Sequence, residues 1–80
     1  MGIKTELLCD VSSGKSGKII EILGGTTLER RLAALGVRVN MKLKKIGGQM
    51  FKGPVVLKVG RTTLAIAHGM ASKILVEVDK

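Results

Sequence analysis

Aromatic side chains are almost missing from this chain: one phenylalanine, no tryptophan and no tyrosine among 80 residues. Sequence-tolerant single-strand binders stack bases on several aromatic rings. Domains that take proline-rich peptides need an aromatic-lined groove. Phe51 alone builds neither platform. Cysteine is as scarce. Cys9 is the only one, so no disulfide forms within the chain, whereas small secreted domains usually lean on several. With His68 the only histidine, zinc-finger ligand spacing is also excluded. No apolar run reaches the length of a bilayer span, and a stretch such as Ile19-Ile20-Glu21-Ile22-Leu23 is broken by charge. The start, Met1 to Leu8, has neither the apolar core nor the small-residue cleavage site of a signal peptide. Glu6 stands where a myristoylation motif beginning at Gly2 needs Ser or Thr. These absences point to a cytoplasmic protein. Acidic residues are few as well, six against 14 basic ones, which leaves a net charge of +8. Such a balance draws the chain to something anionic: nucleic acid, an acidic protein surface or an anionic leaflet.

What is present reads as one domain spanning residues 1–80, with a small core. Residues 1–16 form a lead-in, and Ser12 to Gly17 is a turn-rich loop. Lys18–Leu23 reads as a first strand, ended by Gly24-Gly25. Ile19, Ile20, Ile22 and Leu23 cannot all face one side, so both faces are covered or a bulge is present. A helix follows, with Thr26 as N-cap and Glu29 completing a capping box. Leu28, Leu32 and Leu35 give it one apolar stripe, and Gly36 supplies a left-handed stop. Val37 to Asn40 reads as a turn, since Asn tolerates positive φ. Met41–Ile46, Pro54–Val59, Thr62–Ala67 and Ile74–Val78 are strands by their alternation. Gly47 to Gly53 is a hairpin tip, Gly60-Arg61 a two-residue turn, and His68 to Ser72 a single helical turn. The expected fold is mainly β: a small SH3-like barrel of about five strands with one short inserted α-helix.

Catalysis has little to stand on. Gly14-Lys15-Ser16 looks like the end of a phosphate-binding loop, but Cys9 stands where that loop needs its first Gly and a strand follows instead of a helix. Asp10, Asp79, Glu6 and Glu77 lie near the chain ends, with no carboxylate pair placed for acid–base work and no triad around His68. No ligand spacing marks a metal centre and no cofactor is expected.

The basic residues carry more. Lys42, Lys44, Lys45 and Lys52 flank one hairpin, and Arg30 and Arg31 sit on the helix. They read as an electrostatic docking face or as a solvated surface whose strand lysines discourage edge pairing. Met50-Phe51 at a glycine-rich tip suits an adaptable apolar contact, or caps the barrel.

Gly17-Lys18-Ile19-Ile20-Glu21-Ile22, Gly24-Gly25 and Arg30-Arg31-Leu32-Ala33-Ala34-Leu35-Gly36-Val37 resemble the ferrous iron transport protein A (FeoA) family. Gly53-Pro54-Val55-Val56-Leu57-Lys58-Val59-Gly60, Leu64-Ala65-Ile66 and Ala71 to Val76 agree with its later part. Asn40 departs from it, standing where the family often has Gly. The resemblance implies an SH3-like barrel that is no enzyme. It implies a small cytosolic accessory that binds the FeoB-type ferrous iron transporter, a membrane protein with a cytosolic GTP-binding domain, and modulates its activity or assembly. On this reading Arg30, Arg31, Met50, Phe51 and Lys52 meet the partner. An arginine finger at Arg30 or Arg31 is a further reading. The alternative is a nucleic-acid-binding small basic β-barrel, held mainly through phosphates.

Overall fold

A computed structural model of the chain describes residues 2–48 and 53–79. In order they form β1 (Ile3–Leu7), a 3-10 turn (Leu8–Asp10), β2 (Ser16–Ile22), α1 (Gly25–Ala34), β3 (Lys42–Gly48), β4 (Val55–Val59), β5 (Thr62–Ile66), α2 (His68–Ala71) and β6 (Ile74–Asp79). The six strands make one antiparallel sheet in the order β1-β6-β2-β3-β4-β5, so β1 and β5 end it without pairing to each other. The fold is mainly β, a small SH3-like barrel with the helix inserted early. It has one strand more than expected, because the lead-in contains β1. That strand is exposed over Ile3, Lys4 and Thr5, so it carries no buried alternation to betray it.

Alternation explains the core. Val55, Leu57 and Val59 on β4, and Ile74, Val76 and Val78 on β6, turn inward and are buried. Leu8 and Val11 from the 3-10 turn and its C-terminal flank, Leu32 from α1 and Ala71 from α2 close the same cluster. Each large buried side chain stabilises the fold by about 1.5–3 kcal/mol.

Of the two alternatives open for β2, the structure shows the bulge. Its register against β6 shifts between Ile19 and Glu21. Strict alternation would put two residues three apart on opposite faces. The extra residue brings Ile19 and Ile22 to the same interior, 0% and 7% exposed. Leu23 is left outside.

The helix start differs from expectation. α1 begins at Gly25, behind Gly24, and no side chain caps it. The Thr26–Glu29 capping box is therefore not formed. Two glycines shape the entry instead: Gly25 adopts φ +79°, and a Cβ on Gly24 would run into the side chain of Leu28. The end is as expected. Gly36, at φ +91°, donates to Ala33 O at 3.0 Å, and Val37 N donates to Leu32 O at 2.8 Å. This is a Schellman motif. It carries Leu35 past the last helical turn, leaving it 48% exposed, and Val37 takes the core position at 0%. The stripe is thus Leu28, Leu32 and Val37, not Leu28, Leu32 and Leu35. Asn40 takes φ 74° as expected, alone among the described non-glycine residues.

Candidate docking face

Because Leu28 and Leu32 point inward, the opposite side of α1 is presented to solvent. Arg30 lies on it and Arg31 on its flank, both exposed. Leu35 follows Arg31 by four residues, one helical turn on. Leu23, before the helix, is 50% exposed, and Val39, after it, is 40% exposed. The helix thus carries two arginines with exposed apolar residues at both of its ends, while Ile3 and Ile46 are exposed elsewhere. Among the described residues the one ion pair is Lys4–Glu6, at 3.0 Å, so none of the described acids neutralises Arg30 or Arg31. Met50, Phe51 and Lys52 lie outside the described residues.

The hairpin lysines divide. Lys42 and Lys44 face outward and are exposed. Lys45 faces the interior at 6% exposure, which corrects its place in the docking face. Its Nζ donates to Cys9 O at 3.1 Å. Its backbone N donates to Lys15 O at 2.9 Å, and its carbonyl accepts from Gly14 N at 2.6 Å. Lys45 is a structural clamp on the loop before β2.

Two further lysines join the outer face, Lys18 on β2 and Lys58 on β4. Lys18 lies opposite Lys42, and Lys44 lies opposite Lys58. Alternation marks each as outward-facing. Only the strand register, which no residue in either strand announces, brings them together. A groove of about 340 Å³ runs beside Lys18, Lys42 and Glu77, and one of about 240 Å³ beside Lys42, Lys44 and Lys58. Ser16 and Lys42 line both.

Groups that could do chemistry are scattered. Burial pushes the Cys9 thiol up, and the neighbouring Asp10 carboxylate raises it further. A thiol held protonated is a poor nucleophile and a poor metal ligand. His68 opens α2, half-buried. Among the described residues no three His, Cys, Asp or Glu side chains gather to hold a metal. None of the described helices is long and apolar enough to cross a membrane.

These features define a small basic SH3-like barrel with its distinctive chemistry on the outside. Residues 7–78 match the FeoA domain family. The chain is 33% identical over 70 residues to the "Putative Fe(2+) transport protein A" of Methanocaldococcus jannaschii, covering 88% of this chain and 83% of that protein. The chain belongs to the FeoA family, an accessory family of ferrous iron transport that is not known for catalysis. The fold agrees with the crystal structure of an iron uptake regulatory protein (FeoA): TM-score 0.86 at 24% identity, over 94% of this chain and 99% of that one. A manganese-dependent transcriptional repressor contains the same fold, with TM-score 0.85 at 18% identity over 98% of this chain and 44% of the repressor.

Proposed function

We propose that this protein is a cytoplasmic accessory of a ferrous iron transport system. It binds the cytosolic part of an FeoB-type transporter and modulates the transporter's activity or assembly. The observation that carries this reading is the exposed Arg30–Arg31 pair, without an ion-pair partner among the described residues, on a helix preceded by exposed Leu23 and followed by exposed Leu35 and Val39. Apolar anchors supply most of the affinity in such a contact, and the arginines supply orientation and rate of encounter. Family membership supplies the transport system. The tip residues Met50, Phe51 and Lys52 extend the contact on this reading.

The test is charge reversal. The double substitution Arg30→Glu, Arg31→Glu touches two exposed side chains, so the fold is retained. It abolishes co-purification with the transporter and lowers cellular ferrous iron uptake. Unchanged binding and uptake would remove this face from the account.

A further inference from the structure

The outer face of β2, β3 and β4 is costly as it stands. Lys18 faces Lys42 across one strand pair, and Lys44 faces Lys58 across the next. Like charges directly opposite each other destabilise a sheet. Glu77, opposite Lys18 on β6, is the one acid in register with them, and none of the four lysines makes an ion pair among the described residues. Two such pairs in neighbouring positions are more than a sheet needs to guard its surface. Both strand pairs also lie inside the sheet, where no edge requires guarding.

We propose that this face binds an extended acidic segment of a partner protein. The rows Lys18–Lys42 and Lys44–Lys58 stand two residues apart along β3, about 7 Å. An extended chain spaces its alternate side chains by the same distance. Carboxylates at alternate positions therefore place one charge in each row. The shape agrees. The two grooves share Ser16 and Lys42 and so adjoin as one shallow, open trough along which an extended chain can lie. The described residues that line the trough include no ring on which bases could stack. Glu77 at one end gives the trough a polarity, with its most positive part at Lys44 and Lys58. This face is separate from the helix arginines, and the inference holds whichever protein carries the segment.

The probe is a short synthetic peptide with Glu and Asp at alternate positions, separated by Ser and Gly. It is titrated into the isotope-labelled full chain at low salt. Amide shifts are expected at Ser16 to Lys18, Lys42 to Lys44 and Lys58, fading as salt rises. Lys42→Gln with Lys44→Gln, both exposed and with the dispersed spectrum of the folded chain as control, weakens binding about tenfold. Lys58→Gln alone gives a smaller loss in the same direction. Absent shifts, or shifts confined to other residues, overturn the proposal. So does tighter binding at this face of phosphatidylserine vesicles, or of a single-stranded oligonucleotide of equal charge.

Discussion

Lys45 shows what one residue does when its register points it inward. Its side chain is buried and its ammonium reaches Cys9 O at 3.1 Å, so the aliphatic stem is kept from water while the charged head finds an acceptor. Lys45→Met keeps the stem and removes the donor. Leaving that carbonyl unpaired costs about 1–2 kcal/mol. The melting temperature falls by about 4–8 °C for each kcal/mol in a domain of this size, and calorimetry checks it. Cys9, on the other side of that bond, has its thiol raised above the ordinary value of 9.0 by burial first and by Asp10 second. A raised value means the folded state favours the protonated thiol. The stability it contributes is complete below the unfolded value and disappears as pH rises through the folded one. Iodoacetamide therefore alkylates Cys9 in the folded chain with a pH midpoint above that of the unfolded chain. Arg30, Arg31, Gly36 and Asn40 are readable at this scale from residue type and position. Lys45 is not, because Lys42-Leu43-Lys44-Lys45 reads as a solvated basic run until the register shows that Leu43 and Lys45 share the inward face.

At the scale of elements, β2 lies inside the sheet, paired with both β3 and β6. It approaches β6 closely at Gly17. A Cβ there would lie 2.5 Å from Val76 Cγ1 and 2.7 Å from Glu77 O. The carbonyl belongs to β6 backbone and cannot turn aside. Gly17→Ala thus destabilises the fold by about 1–3 kcal/mol, measured by urea unfolding. An unchanged midpoint would show that the two strands can part at no cost. Most elements are legible from alternation and from turn residues. β1 is hidden because an exposed edge strand need not alternate. The N-cap is misread from sequence because Gly24-Gly25 shape the helix entry through backbone and close approach, leaving Thr26 and Glu29 no cap to make.

For the whole molecule, six of the 14 basic residues lie on two surfaces of different make. One mixes Arg30 and Arg31 with exposed leucine and valine on a helix. The other sets four lysines in a trough on the sheet. Composition announces the attraction to anions but not this division. The division depends on strand pairing across distant parts of the chain, and periodicity within a strand does not encode it. The central claim is that the helix face meets the transporter. The most direct measurement is an amide titration of the labelled chain with the soluble cytosolic part of its cognate transporter at moderate salt. The account predicts localised shifts along α1 around Arg30, Arg31 and Leu35, lost with Arg30→Glu, Arg31→Glu. Saturating addition with no shift along α1 would contradict it.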